Sequence, residues 1–258
     1  VREQLVGGLG ARDLEILRTT SNLRLVTGGQ LHRLAFSGPT ASSTNSRIAR
    51  RTLARLTSLN LLQRLDRRVG GIRAGSGSFV YALTPKGAEA IGQHAGRGRL
   101  REPSLTFVRH QLAIAEVVVQ LHEARDRGLF DELQLAYEPA CWRPLHDGTG
   151  STLKPDLLVV IGRQNDELVM FIEVDNGTEH AGALARKLGL YRDHYASGHE
   201  QRTEGVFPEV LWLVPDEPRA AQVETAIARF AGPQLHRVLL GSAFLAHLAN
   251  ENNELEGG

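Results

Sequence analysis

The chain has 258 residues, 41% hydrophobic and 23% charged, the make-up of a globular protein with room for one large or two small domains. The single cysteine, Cys141, excludes a disulfide framework and a Cys-rich zinc site and suits a reducing cytoplasm. The net charge of +1 hides a division, because residues 1–101 hold seventeen Lys and Arg against five Asp and Glu, while residues 102–258 hold thirteen against twenty-four. So strong an asymmetry predicts two modules, the first built for a polyanion, with nucleic acid the favoured partner. No apolar run reaches the length of a membrane span, and no basic-then-apolar signal segment opens the chain. The chain begins at Val1 without Met, which leaves trimming and an unusual start both open.

In the basic half, Ala11 to Thr19 reads as a short helix carrying Leu14, Ile16 and Leu17. Thr27 and Gln30 have capping-box spacing and start a second helix with Leu31, Leu34 and Phe36. After a turn from Ser37 to Ser43, a third helix from Ser46 to Leu59 places Ile48, Leu53, Leu56 and Leu59 inward and Arg47, Arg50, Arg51 and Arg55 on the other face. Strands at Leu61–Arg68 and Ser78–Thr84 flank the glycine-rich Gly70–Gly77 turn, and Pro85 opens a closing helix to about His94. Helix, helix, basic helix and basic hairpin in this order predict a winged helix-turn-helix over residues 1–98. Its third helix would enter the major groove of double-stranded DNA, while Arg67, Arg68 and Arg73 reach phosphate or the minor groove. A winged module for protein contacts, with the arginines simply solvated, is the alternative.

The Gly- and Arg-rich segment Gly96–Arg101 is the natural boundary to a second domain over residues 99–250. There, Leu105 to Arg127 predicts a packed helix, and Glu132–Glu138 a first strand. Leu157–Ile161 and Leu168–Ile172 are apolar runs joined by a polar turn at residues 162–167, an antiparallel hairpin. Ala181–Tyr195 reads as a helix, Glu209–Val214 as a buried strand, residues 218–230 as an amphipathic helix, and residues 251–258 as an acidic disordered tail.

The most informative passage is Lys154-Pro155-Asp156 followed by Glu173-Val174-Asp175-Asn176-Gly177-Thr178-Glu179. The hairpin puts Asp156 near the start of one strand and Glu173 near the end of its neighbour, so that both carboxylates can converge on one cation. Magnesium, or manganese, held by one or two carboxylates with waters and substrate phosphate, suits such a pair. Asp175, two residues beyond Glu173, leaves the same strand face and is a further candidate ligand. Of thirty basic residues only three are lysine, and two of them, Lys154 and Lys187, flank this passage. In an Arg-biased chain that points to a need for a compact, titratable ammonium; ordinary surface lysines beside a solvated sheet edge are the plainer reading.

This arrangement resembles the PD-(D/E)XK nuclease superfamily, whose restriction-endonuclease-like core is a mixed sheet flanked by helices. The resemblance implies that Asp156 and Glu173 hold the ion. It also places Asp175 where the superfamily has its lysine, with the cation supplied instead from the following helix. There Lys187 and Tyr191 stand four residues apart, as in the Gln-x-x-x-Tyr variant of the superfamily, and share one helix face. Some such nucleases add a carboxylate from the preceding helix, which makes Glu116 a candidate; pairing with Arg109 or a snorkelling charge are its alternatives.

The whole order of segments is similar to the replication-relaxation family, which includes MobC-type plasmid relaxases. The likeness runs through Arg12-Asp13-Leu14-Glu15-Ile16-Leu17, the arginine helix, Tyr81-Ala82-Leu83-Thr84-Pro85, Arg109-His110, Glu138-Pro139-Ala140-Cys141-Trp142-Arg143 and both acidic motifs. It implies metal-dependent nicking or relaxation of DNA at the origin of a plasmid or other mobile element. Single-stranded DNA at a nick, other mobilisation or replication proteins and a homodimer are compatible partners. The alternative is a non-catalytic DNA-binding accessory or regulator whose nuclease-like domain is an assembly scaffold. No two of the ten histidines lie two positions apart, so the His-x-His relaxase chemistry is disfavoured, and there is no phosphate-loop motif.

Overall fold

The structure, a computed structural model, describes residues 8–36, 43–69, 78–93, 103–145, 150–163, 166–230 and 235–255. The chain divides into two compact units, residues 1–119 and 120–258, later than the change of charge sign. The start of the long helix belongs with the basic unit because Val108 and Leu112 close a core with Leu25, Val80 and Ala82.

In the first unit, helix α1 (Ala11–Leu23) runs beyond the expected end at Thr19, carried on by buried Leu23. A three-residue strand, β1 (Leu25–Thr27), follows; it is too short to show a period in the sequence. The capping box opens α2 (Gly28–Ala35): the Gln30 amide donates to Thr27 Oγ1 at 3.1 Å, and the Thr27 amide donates to Gln30 Oε1 at 3.0 Å. Helix α3 (Ser43–Ser58) buries Ala49, Leu53 and Leu56, whereas Ile48 and Leu59 stay 40% and 41% exposed. The packed stripe is therefore the i, i+4, i+7 row from Ala49, and Ile48 lies off it.

Strands β2 (Leu62–Val69) and β3 (Ser78–Leu83) pair antiparallel, and β1 adds on the other side of β3, giving the order β1-β3-β2. Helix α4 (Pro85–Ala90) has Pro85 in its first turn, and Thr84 Oγ1 accepts from the Gly87 amide at 3.0 Å. Gly87 is obligatory by contact, since a Cβ there would stand 2.1 Å from the Leu61 carbonyl oxygen. Helix α4 stops at Ala90, short of the expected His94, because the chain turns at Ile91–Gly92, where Gly92 takes φ +80°. The Gly70–Gly77 turn, the Gly96–Arg101 linker and most of the Ser37–Ser43 turn lie outside the described residues.

Helix α5 (Leu105–Asp126) leads to the second unit, whose elements are mixed α and β. Strand β4 (Glu132–Tyr137) is followed by a small hairpin, β5 (Arg143–Pro144) and β6 (Thr152–Leu153). Strands β7 (Leu157–Arg163) and β8 (Asp166–Val174) form the expected antiparallel pair. Helix α6 (Ala181–Ser197), a short α7 (His199–Thr203), β9 (Glu209–Val214), α8 (Glu217–Phe230), β10 (His236–Leu240) and α9 (Phe244–Leu255) complete the chain.

The five-stranded sheet has the order β10-β9-β8-β7-β4, antiparallel among β4, β7 and β8 and parallel from β8 through β9 to β10. Parallel neighbours need crossovers, and α6 and α8 supply them. Both helices pack on one sheet face: Leu184, Leu188 and Tyr191 of α6 and Val223 and Ile227 of α8 bury Phe171, Val210, Trp212 and Val214. Gly198, with φ +64°, ends α6 in the left-handed conformation that glycine adopts without a Cβ penalty. Where a disordered acidic tail was expected from Glu251, the helix continues to Leu255, since fully buried Phe244 and Leu248 anchor its first turns and propagation is easy once a helix is nucleated. Among the described residues no helix is long and apolar enough to cross a membrane.

Candidate functional site

The β7–β8 register pairs Leu157 with Ile172, and the Asp156 amide donates to the Ile172 carbonyl at 3.1 Å. One step further along, Asp156 faces Glu173. The pleat alternates sides, so Asp156 shares a face with Leu158, and Glu173 with Phe171, the face that α6 and α8 cover. Both carboxylates are buried, Asp156 at 5% and Glu173 at 1% exposure. Asp156 Oδ2 accepts from the Val174 amide at 2.7 Å, which fixes that carboxylate against the neighbouring strand.

Helix α6 supplies the donors to Glu173. Leu184, Leu188 and Tyr191 form its buried stripe, which carries Lys187 and Tyr191, four residues apart, to the sheet. Tyr191 Oη donates to Glu173 Oε1 at 2.6 Å, and Lys187 Nζ pairs with Glu173 Oε2. The lysine side chain as a whole is 20% exposed, while its ammonium is carried inward to the carboxylate.

Burial pushes the Glu173 carboxyl up to about 8, with Asp156 adding to the shift and Lys187 and Tyr191 opposing it. Burial works against the Lys187 ammonium, yet the pull of Glu173 and Asp156 outweighs it and holds the lysine above its ordinary range. Burial and the neighbouring carboxylates likewise hold the Tyr191 phenol protonated, as a donor. Burial is thus the main cause of the raised Glu173 value, and a carboxyl so raised holds its proton more readily than an exposed one. Burial also raises the nearby Cys141 thiol to about 12, which disqualifies it as a thiolate nucleophile.

Asp175 follows the end of β8 and is 4% exposed. Arg219, in the first turn of α8, donates to its Oδ2 from Nε at 3.1 Å and Nη2 at 2.7 Å, and the Gly177 amide donates to Oδ1 at 2.6 Å. The two acids of the Glu173-x-Asp175 segment are thus served by different helices, Lys187 from α6 and Arg219 from α8. Sequence reasoning missed Arg219, although a cation in a first helical turn is disfavoured by the helix dipole and so hints at a specific partner. Among the described residues no group of three or more His, Cys, Asp or Glu side chains could hold a metal ion.

Glu116 belongs to the first unit. It accepts from Arg33 Nη1 at 2.5 Å and from Gln30 Nε2 at 3.1 Å, so its ion-pair partner is Arg33 rather than Arg109. On α3, Arg47, Arg50 and Arg51 are exposed, and Arg50 Nε donates to the Ser46 carbonyl at 3.1 Å. Arg55, also on the surface, is ion-paired to Asp13, which is 5% exposed. The side chains of Arg67 and Arg68, and all of Arg73, lie outside the described residues.

A family model described as Replication-relaxation matches residues 17–210, well over half of the chain. No curated protein and no solved structure matches it. The family ties the chain to replication and mobilisation, and so to DNA.

Proposed function

Because the chain belongs to the replication-relaxation family, we propose that it is a DNA-binding protein of mobile elements that nicks DNA at an origin by metal-assisted phosphodiester hydrolysis. We assign DNA recognition to the N-terminal unit, read as a winged helix-turn-helix with α3 as the recognition helix, and cleavage to a PD-(D/E)XK-like second unit. The observation that carries this reading is the junction of Asp156, Glu173 and Lys187, two strand carboxylates and a helix ammonium gathered on one sheet face.

The donor set fits magnesium or manganese. Such ions take one or two carboxylates and complete their shell with water and phosphate, and Asp156 and Glu173 set two buried carboxylates side by side on neighbouring strands. Asp156 and Glu173 would hold the ion; when bound it lowers the pKa of a water and draws charge from the phosphate. The Val174 amide holds Asp156 in place, and the Tyr191 hydroxyl orients Glu173. Lys187, ion-paired to Glu173, would donate to a phosphate oxygen as charge builds there. Asp175 stays with Arg219 as a structural pair.

A scaffold role is the second reading, favoured by Glu173 having a protein donor on each oxygen. Supercoiled origin DNA incubated with and without magnesium or manganese separates the two. Under the nuclease reading the wild type nicks only with the ion, Lys187→Ala nicks far more slowly at unchanged DNA affinity, and Lys187→Arg does not restore the rate, because a planar guanidinium differs from an ammonium in shape and acidity. A wild type that nicks no substrate establishes the scaffold reading, and wild-type rates in Lys187→Ala remove Lys187 from the chemistry.

A further inference from the structure

The small β5–β6 hairpin immediately precedes Asp156 in the chain. Arg143 pairs with Leu153 and Pro144 with Thr152, so one step on, Trp142 stands opposite Lys154. Lys154 Nζ lies over the Trp142 ring, 4.4 Å from its centroid. Lys154 is exposed, and among the described residues it has no carboxylate partner and no hydrogen bond. Trp142 is half-buried, and its indole Nε1 is buried with no hydrogen-bond partner.

The platform beneath this pair is firmly held. Arg143 Nε donates to Glu200 Oε1 at 2.5 Å, and His194 Nε2 bonds the same oxygen at 2.9 Å, with Glu200 and His194 both at 2% side-chain exposure. On the strand side, the Cys141 thiol donates to the Pro155 carbonyl at 3.1 Å, tying the Trp142 segment to the residue before Asp156. Lys154 is two residues from Asp156, at most about 7 Å of chain.

We propose that Trp142 and Lys154 form a subsite for an unpaired nucleotide of single-stranded DNA beside the Asp156–Glu173 pair. Lys154 binds a backbone phosphate, and the indole face stacks on the base. An exposed cation over a ring is weakly held, whereas a phosphate offers the same ammonium a charge-assisted hydrogen bond. Lys154 therefore moves from ring to phosphate when the strand arrives and uncovers the indole for stacking, which accepts any base because every base has a π face. The subsite rests on the nuclease reading and deepens it, since it selects a strand already open at the scissile position.

The chain has two tryptophans, and Trp212 is only 1% exposed, so intrinsic fluorescence isolates Trp142. The full chain, free of divalent ions, is titrated with a short thymidine oligonucleotide. The wild-type emission is expected to be quenched on binding, and Trp142→Phe to lose that quench. Labelled-oligonucleotide anisotropy should show Trp142→Ala binding roughly tenfold more weakly, and Lys154→Gln with its salt slope reduced by about one. A quench that persists in Trp142→Phe, or wild-type affinity and slope in the other two variants, overturns the subsite. These readouts do not depend on cleavage. A quench that follows Trp142 in a protein that never nicks upholds the subsite and removes the nuclease reading; nicking with wild-type KM in both Trp142→Ala and Lys154→Gln removes the subsite alone.

Discussion

Glu173 and Lys187 meet across the boundary between strand and helix: a carboxylate at 1% side-chain exposure is paired with a lysine whose side chain is 20% exposed. The acid is held on its other oxygen by Tyr191, whereas the lysine reaches it from a helix side chain. Breaking such a pair inside a protein would strand a charge, but an incoming cation on the acid and a phosphate on the lysine would take over both partners at once.

The first prediction concerns the carboxylates. A manganese ion at one hundred times its Kd should stabilise the wild type by about 2.7 kcal/mol, seen as a rise in Tm. Asp156→Asn and Glu173→Gln should each abolish the rise while retaining the fold, since an amide keeps the shape of the carboxylate and either variant leaves the other acid near Lys187. An unchanged rise in both variants would place the ion elsewhere.

Arg219 should matter to stability rather than to DNA. Its side chain is 10% exposed and that of Asp175 2%, and removing one member of a buried ion pair costs about 3–5 kcal/mol. Arg219→Met should therefore lower the urea midpoint strongly. The double variant Asp175→Asn/Arg219→Met should recover much of the loss, because no uncompensated charge remains.

His236 makes stability depend on pH. Burial pulls its imidazole down to about 4, and Nδ1 accepts from the Trp212 indole at 3.1 Å, which the protonated ring cannot do. The unfolded chain takes up this proton near pH 6.5, so the contribution is intact above that value and is lost as pH falls toward about 4. Urea midpoints measured across this window should fall with acidification in the wild type and fall less in His236→Phe; parallel curves would contradict the assignment.

The arginines of α3 should separate into two kinds. Arg50→Ala and Arg51→Ala should weaken DNA binding and each reduce the salt slope by about one, with little effect on Tm. Arg55→Ala should also lower Tm, because it leaves Asp13 buried without its partner. Identical Tm values for all three would mean that the Arg55–Asp13 pair contributes nothing to the fold.

The sequence by itself determined the elements whose signals are local. The Thr27–Gln30 capping box, the β7–β8 hairpin with Asp156 and Glu173 at its adjoining ends, and the i, i+4 placement of Lys187 and Tyr191 all follow from periods and spacings within a few residues. Tertiary structure decided the pairings between distant segments. It gave Asp175 to Arg219, forty-four residues away, Glu116 to Arg33, and Asp13 to Arg55. It also set Trp142 across from Lys154 through a hairpin too short to carry a periodic signal. The physical reason is that a buried charge constrains its surroundings to provide some partner without specifying which one. Many arginines in this chain could have answered each acid, and only the packing within each unit, such as that of α8 on the sheet for Asp175 and Arg219, chose between them.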